Sequence, residues 1–407
     1  MNRQDYLRRV VRLWLGLPQG AITPDLPESL ASLLIRDEER LNPHRDAWGC
    51  WEYAFSDNHH RGALLVPEID QWVQAQRRQG FGGEPLWPNG HRFTLTISHD
   101  VDDLSRHITA KQWARQAAIR MRGDVKSVIA ALPVSLWQTR SIRPTPSLAD
   151  SLEKALSIEA EFKISASWFF TVWPIDRSSP YDCIYALGDP CRFRGHPTTV
   201  AALMRTVASE GHDVGLHGSY GSAVHDGALA AEKHILEMAL GKPIVSTRQH
   251  WLHWRVDKTP RLQANAGLKV DGTLGFNGSA GFRAGTSLPY PLWDDEHGQP
   301  LDILEVPLAV MDVGLFRLGA MGLDLALAKR VVDQITARVA TAGGALSLLI
   351  HPSHLVDPKV EALMRWTISH CIEQGAWIAN HAQIRRHWDE RAARLGDKGE
   401  SFSAVRS

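Results

Sequence analysis

The sequence lacks the features that mark secreted, membrane-spanning or cysteine-rich proteins. Its four cysteines are scattered and form no CxxC pair, which argues against a disulfide framework and against a cysteine zinc site. No run of about 18 apolar residues is present, so we expect no membrane span. The N-terminal segment MNRQDYLRRVVRLWLGL has charges among its apolar positions and does not resemble a signal peptide. We therefore expect a cytoplasmic protein.

An excess of charge of one sign is also lacking. Lys plus Arg and Asp plus Glu number 45 each, so the formal net charge is zero. Proteins that bind nucleic acids usually present a basic face, and we expect no nucleic-acid partner. One stretch, 104–145, is strongly basic, with eight Lys or Arg and a single acid, Asp124. Two interpretations stay open for this insertion: a solvated helical segment, or a surface for substrate phosphates or for peripheral contact with an anionic membrane.

The order of apolar and amphipathic segments predicts an α/β fold. Helical periodicity over 3–17 and 66–80 predicts a mainly helical N-terminal region, residues 1–90, which turn residues at 80–90 then end. Beyond it, short apolar segments alternate with helical ones, which is typical of a parallel sheet. Strands are predicted at 93–98, 164–172, 213–217, 244–250, 302–308 and 345–351. Helices are predicted at 148–162, 198–210, 226–240, 258–266, 323–341 and 357–374.

This number of strand–helix units favours a barrel over a doubly wound sheet. No GxGxxG motif follows the first strand, which further disfavours a dinucleotide-binding fold. We expect residues 91–392 to form a distorted or incomplete parallel (β/α) barrel, interrupted by the basic insertion 104–145. Residues 393–407 are expected to form a loosely ordered tail.

Side chains that can bind a metal follow several of the predicted strands. In a parallel barrel the carboxyl ends of the strands meet at one rim. Carboxylates and imidazoles gathered there suit zinc or a similar divalent metal. Such a site polarises a carbonyl and activates water for hydrolysis, with a separate carboxylate as base and a separate histidine as acid. The strand-end residues are Asp100, Asp102, His217, Arg248, His250 and His351.

Each of these residues also has a structural explanation. Asp100 and Asp102 could cap a helix or act as calcium-like surface ligands, and His217 could be a buried histidine with satisfied hydrogen bonds. His351 could simply end its strand. The HWLHW segment, 250–254, could serve packing alone. We assign solvated or structural roles to five further histidines: His59, His60, His196, His225 and His354. The order of four strand ends along one chain nevertheless favours a shared site.

The ordered motifs resemble those of the polysaccharide deacetylases of carbohydrate esterase family 4, over about residues 93–351. SHDVDD resembles the family's Thr-Phe-Asp-Asp-Gly motif, in a His-Asp-Val-Asp form found in bacterial sugar-modifying relatives. The resemblance implies that Asp100 is the catalytic base and Asp102 a metal ligand. RQHW resembles the Arg-x-x-aromatic motif, which implies that Arg248 steadies the base and that the Trp251 backbone N–H faces the oxyanion. LSLLIH implies that His351 is the general acid.

The second metal motif of the family, His-x-x-x-His, is incomplete here. HGSYG matches the first histidine with His217, but Gly221 occupies the second position. Catalytic zinc usually has three protein ligands and one open position. His250 follows the next predicted strand after His217, and we predict that it supplies the missing ligand. Its competitor, His225, is expected to begin a helix that leads away from the rim.

The resemblance implies a divalent metal, zinc foremost, and removal of an acetyl or other N-acyl group from a sugar. Tyr220 and Asp271 are predicted to bind this substrate. Without a recognisable export signal, the expected substrate is a nucleotide-sugar or a lipid-linked glycan in bacterial surface-polysaccharide (O-antigen or capsule) assembly. Two alternatives stay open: hydrolysis of another C–N bond, as in a cyclic amide, and a non-catalytic sugar-binding barrel.

Overall fold

A computed structural model describes residues 1–46, 48–102, 148–172, 181–183 and 185–397. The predicted basic insertion 104–145 and residues 398–407 of the predicted tail lie outside the described residues. Helices in the described ranges are α1 (Arg3–Leu15), α2 (Glu28–Leu34), α3 (Asp37–Leu41), α4 (Asp57–His60), α5 (Glu68–Arg78), α6 (Leu148–Phe162), α7 (Val200–Ser209), α8 (Ala228–Leu240), α9 (Thr259–Asn265), α10 (Asp312–Phe316), α11 (Leu325–Ala342), α12 (Pro358–Glu373) and α13 (His381–Arg394).

Strands in the same ranges are β1 (Phe93–Val101), β2 (Ser167–Phe170), β3 (Pro190–Phe193), β4 (His196–Thr199), β5 (Asp213–Gly218), β6 (Ser246–Gln249), β7 (Val270–Asp271), β8 (Tyr290–Asp294), β9 (Gln299–Glu305), β10 (Val310–Met311), β11 (Ala345–Leu349) and β12 (Ala376–Ile378). The two amphipathic N-terminal segments form α1 and α5. The six predicted strands and six predicted helices of the barrel are present, within a few residues of their predicted bounds.

The main sheet is an incomplete, mostly parallel barrel. Its strand order is β10-β11-β1-β2-β5-β6-β7-β9-β8, with β12 also paired to β1. Neighbouring strands are parallel except β8 and β9. Within the described chain, the end strands β8 and β10 do not pair with each other, so the barrel stays open. The predicted fold class, a distorted or incomplete parallel barrel with a helical N-terminal region, is confirmed.

Strand β1 is the third of the nine strands in this order and is buried along its whole length. One edge pairs with β11, while the other pairs with β12 at its start and with β2 at its end. Side chains at the end of β1 are therefore surrounded by neighbouring strand ends. This placement puts Asp100 and Asp102 on the rim, between the ends of β11 and β2.

The N-terminal region packs against the barrel and shares its apolar core. Trp14 Nε1 donates to the carbonyl of Pro289 (2.7 Å). Glu39 is fully buried and accepts hydrogen bonds from Arg36 (2.8 Å) and, through both oxygens, from Arg283 (2.8 and 2.7 Å). Burial alone would raise the pKa of Glu39, but the two guanidinium groups outweigh it and lower this pKa to about 2.

The predicted tail boundary at residue 393 falls inside α13. Arg391 is buried and donates to the carbonyl of Leu13 (2.6 Å). Asp397, three residues beyond the helix, forms ion pairs with Arg9 (2.9 Å) and Arg12 (3.0 Å) of α1. Residues 393–397 thus belong to the packed structure, which corrects the prediction for this part of the tail. None of the helices described above is long and apolar enough to cross a membrane.

Candidate active site

Three side chains from the ends of three strands form a compact cluster on the rim. Asp102 follows β1, His217 lies in β5, and His250 follows β6. Asp102 Oδ1 is 3.0 Å from His217 Nε2 and 3.7 Å from His250 Nε2. One candidate ligand atom from each residue lies within 4.8 Å of the other two. The structure therefore brings together the three residues predicted as metal ligands.

The hydrogen bonds around this cluster leave two unprotonated ligand atoms facing each other, as a cation site requires. His217 Nδ1 is 3.0 Å from the carbonyl oxygen of Arg248, which can only accept, so Nδ1 carries a hydrogen. In the neutral ring, His217 Nε2 then presents its lone pair to Asp102 Oδ1. Both atoms are buried and make no hydrogen bond within the described residues. Two facing lone pairs repel one another unless a cation or a proton lies between them.

The donor set and its spacing fit a divalent metal such as zinc. One carboxylate and two imidazoles are typical ligands of catalytic zinc. Bonds of about 2.0–2.1 Å in tetrahedral geometry place ligand atoms about 3.3 Å apart. The distances of 3.0 and 3.7 Å from Asp102 Oδ1 to His217 and His250 lie on either side of this value.

The charges of the cluster keep Asp102 ionised. Burial would raise the pKa of Asp102, but the imidazoles of His250, His217 and His351 outweigh burial and lower it. Burial would lower the pKa of His217, but the carboxylates of Asp100 and Asp102 raise it. The cluster thus holds a carboxylate that attracts positive charge, whether a proton or a metal ion.

Asp100 and Arg248 form a buried ion pair beside the cluster. Arg248 Nη1 donates to Asp100 Oδ1 (3.2 Å) and to Ser98 Oγ (2.7 Å), and Arg248 Nε donates to the carbonyl of Gly272 (2.8 Å). Asp100 Oδ2 is 3.9 Å from His217 Nε2. The guanidinium therefore fixes one carboxylate oxygen and leaves the other turned toward the cluster, where a base would act.

His351 contacts the cluster from the end of β11 and is held by a second aspartate. His351 Nε2 is 3.5 Å from Asp102 Oδ2, and its Nδ1 is 2.7 Å from Asp312 Oδ1. Asp312 Oδ2 also accepts the backbone N–H of His351 (2.9 Å). Burial lowers the pKa of His351, but Asp312 outweighs it and, with Asp102 and Asp100, raises the pKa to about 10. His351 therefore carries a proton at neutral pH, as a general acid requires.

Sequence reasoning missed Asp312 and Asp182. Asp312 follows the two-residue strand β10, which is too short to be recognised, although an acid after the apolar residues 308–311 was an available signal. Asp182 Oδ1 accepts the backbone N–H of Tyr220 (2.6 Å) and lies 3.6 Å from His250 Nδ1. No motif marks Asp182, yet it can orient the His250 ring so that Nε2 faces Asp102. His354, assigned a solvated or structural role, is half-exposed and contacts Asp312 (3.0 Å).

Trp251 lies on the rim in a strained backbone conformation. Its φ is 61° and that of Leu252 is 51°, a left-handed region that side chains other than glycine rarely adopt. The Trp251 carbonyl accepts a hydrogen bond from Asn277 Nδ2 (2.7 Å). Strain of this kind is concentrated at functional sites. The proposed contact of the Trp251 N–H with an oxyanion stays a prediction.

The two residues predicted to bind substrate do not reach the open space above the cluster. Asp271 is fully buried beneath the rim, where Thr273 donates to its carboxylate, so direct contact with substrate is wrong for this residue. Tyr220 stacks on His253, with ring centroids 4.0 Å apart, and its hydroxyl donates to the carbonyl of Trp48. Tyr220 thus supports the wall of the site from behind.

The cluster opens into a cavity of about 480 Å³. This volume lies within the range of about 300–1,000 Å³ that is usual for small-molecule sites. Among the lining residues are Asp100, Asp102, His217, His250 and His351. The predicted base, acid and metal ligands therefore face one common space.

Comparison with known proteins gives structural likeness at low identity. No protein-family model matches the sequence, and no curated protein matches it. A Mycobacterium smegmatis structure assigned as a polysaccharide deacetylase matches 75% of this chain and 93% of its own, with 18% identity and a TM-score of 0.48. A Pseudomonas aeruginosa structure with the same assignment matches 76% and 95% of the two chains, with 14% identity and a TM-score of 0.47.

A third structure, from Bordetella bronchiseptica, is assigned as a polysaccharide deacetylase involved in O-antigen biosynthesis. It matches 75% of this chain and 93% of its own, with 13% identity and a TM-score of 0.33. The chain is thus similar to structures assigned as polysaccharide deacetylases. The description of its fold and of its site rests on the geometry of this structure alone.

Proposed function

We propose that this protein is a metal-dependent hydrolase that removes an acetyl or other N-acyl group from a sugar. The observation that carries the proposal is the convergence of three different functions around Asp102. A cluster suited to a cation, a carboxylate fixed by Arg248 in Asp100, and a histidine held by Asp312 in His351 all line the same cavity. Metal-assisted hydrolysis of an amide uses all three.

Asp102, His217 and His250 would hold the metal, for which zinc is the first candidate. When bound, such a metal polarises the acyl carbonyl and lowers the pKa of water. Asp182, 3.6 Å from His250 Nδ1, would orient the ring of that ligand from behind.

The remaining residues move protons. Asp100, held by Arg248, accepts a proton from the attacking water as the new C–O bond forms. His351 donates its proton to the sugar nitrogen as the C–N bond breaks, so acetate and a free amine leave. Asp312 keeps His351 protonated and oriented through the 2.7 Å contact. The Trp251 backbone N–H is proposed to donate to the oxygen that becomes negative in the transition state.

The substrate that we propose is a nucleotide-sugar or a lipid-linked glycan used in surface-polysaccharide assembly. Support for a phosphate-bearing donor comes from the basic composition of 104–145, because clustered Lys and Arg attract phosphate groups and anionic membrane surfaces. Reversing charges in this segment should weaken the binding of a phosphate-bearing donor and leave neutral acylated sugars less affected.

Acetate release tests the proposal directly. Purified protein is incubated with UDP-N-acetylglucosamine, with N-acetylglucosamine oligomers and with a cyclic amide, and acetate or ring opening is measured. We expect acetate release from an acylated sugar, loss of this activity with a chelator and its return with zinc. If zinc-loaded protein turns over no acylated sugar, the proposal is wrong. Ring opening of the cyclic amide alone would support the other C–N hydrolase.

A further inference from the structure

The N-terminal region supplies one wall of the cavity. Asp46, Trp48 and Glu52 lie between α3 and α4, and they line the same space as Asp100 and Asp102. No sequence motif points to these three residues. They are far from the barrel motifs in the chain, and only the docking of the N-terminal region brings them to the site.

Hydrogen bonds fix this wall in place. Asp46 Oδ1 accepts the backbone N–H of Trp48 (2.9 Å) and that of Cys50 (2.8 Å). The Tyr220 hydroxyl donates to the Trp48 carbonyl from the barrel side. Gly49 has a φ of 76°, in the left-handed range, and lies so close to Tyr220 that a Cβ there would be 2.9 Å from its hydroxyl oxygen. The loop is therefore seated closely on the barrel.

An aromatic surface lies at the centre of the wall. The ring centroid of Trp48 is 5.3 Å from that of Trp251 and 5.8 Å from that of Tyr181. Trp48 nevertheless stays 39% exposed as a residue, and all three residues line the cavity. The indole of Trp48, fixed in place beside polar side chains, can stack on the apolar C–H face of a sugar ring. The hydroxyls of that ring can then form hydrogen bonds with the polar side chains around it.

The polar groups of the wall suit hydroxyls better than phosphates. Burial and the neighbouring carboxylate of Asp46 raise the pKa of Glu52 to about 7, so near neutral pH this pair of carboxyls can both donate and accept hydrogen bonds. Arg317 is the one Lys or Arg among the described residues that line the cavity. The carboxyl groups that line the same cavity are those of Asp46, Glu52, Asp100, Asp102 and Asp182.

We infer that Trp48, Asp46 and Glu52 form a binding site for a neutral sugar ring, which neighbours the acylated sugar in a glycan substrate. The inference rests on the proposed function and narrows its substrate class to glycans of two or more units. The cavity of about 480 Å³ has space for a ring beside the acylamino group. Stacking on Trp48 holds that ring, and the two carboxyls bind its hydroxyls.

The test compares a glycan with an acyl compound that has no sugar. Values of kcat/KM are measured for the N-acetylglucosamine trisaccharide and for 4-nitrophenyl acetate. In Trp48→Ala we expect the ratio of kcat/KM for the trisaccharide to kcat/KM for 4-nitrophenyl acetate to fall about tenfold, or about 1.4 kcal/mol. Trp48→Phe should restore most of this ratio. Trp366→Ala is the matched control, because this indole stacks on His370 (4.7 Å) on α12, away from the cavity; it should keep the wild-type ratio.

Binding separates this inference from the proposed function. Saturation-transfer NMR with the same trisaccharide should show ring-proton signals for the wild type and for Trp48→Phe, and a loss of these signals for Trp48→Ala. If both substrates are hydrolysed but Trp48→Ala keeps the wild-type ratio, the sugar site is refuted while the hydrolase stands. If neither substrate is hydrolysed, the proposed function fails, and equal NMR signals for the wild type and Trp48→Ala would refute the sugar site as well.

Discussion

Replacing Asp312 by Asn should move the alkaline limit of activity toward neutral pH. Burial lowers the pKa of His351, but Asp312, whose Oδ1 lies 2.7 Å from Nδ1, outweighs it, and the pKa stands at about 10. Asparagine has nearly the same shape, so His351 keeps a hydrogen-bond partner. His351 loses the negative charge that stabilises its proton. The lowering of its pKa by burial is then opposed only by the charges of Asp102 and Asp100.

The size of the effect follows from the protonated fraction of His351. A group with a pKa of about 10 is about 99% protonated at pH 8, whereas a histidine at its ordinary pKa of about 6.5 is about 3% protonated. The fraction able to act as an acid therefore falls about 30-fold at pH 8 and only about 1.3-fold at pH 6. A bound metal would neutralise Asp102 and bring the alkaline limit of wild-type activity below pH 10. The increase that Asp312 causes in the pKa of His351 would remain.

The assay is kcat/KM between pH 6 and pH 10 for the wild type, Asp312→Asn and Asp333→Asn. Asp333 is the matched control, because it pairs with His370 (2.8 Å) between the outer helices α11 and α12. Thermal melting establishes that each variant is folded. If the alkaline limit of Asp312→Asn coincides with that of the wild type, His351 does not supply the proton and its assigned role is wrong.

The metal cluster and the buried N-terminal interface give two more predictions. His250→Ala should lose both zinc and turnover, whereas Asp100→Asn should keep zinc and lose turnover; full zinc content of His250→Ala by elemental analysis would exclude it as a ligand. The folded-state pKa of Glu39 is lowered from 4.5 to about 2, so its stabilising effect is present above pH 4.5 and is lost as the pH falls through about 2. Glu39→Gln should therefore lower the free energy of unfolding in urea by about 3 kcal/mol at pH 7 and by progressively less toward pH 2, and a difference that does not vary with pH would contradict this account.

The sequence predicts the rim because the sheet is parallel. Asp102, His217, His250 and His351 all come at or just after recognisable apolar strands, and parallel strands place such positions at one edge. Their chain order is therefore enough to bring them together. The same reasoning finds β1, β5, β6 and β11 but misses the two-residue strand β10, and with it Asp312.

Other parts of the site depend on contacts that leave no periodic signal. Asp182 lies outside any strand or helix and meets His250 only through tertiary structure. Trp48 and Glu52 enter the cavity because the N-terminal region docks on the barrel. Asp271 shows the opposite error, since its motif lies next to the rim but its side chain points into the protein interior, where Thr273 and Glu305 surround it.

The buried contact of Glu39 with Arg36 and Arg283 has a consequence for how the N-terminal region is held before a ligand binds. Arg36 and Glu39 lie just before the Trp48 wall in the chain, and Arg283 belongs to the barrel. Moving α3 away from the barrel would separate opposite charges that are out of reach of water, which is strongly unfavourable. Because α3 is already fixed on the barrel, ordering it costs no conformational entropy when a ligand binds at the wall.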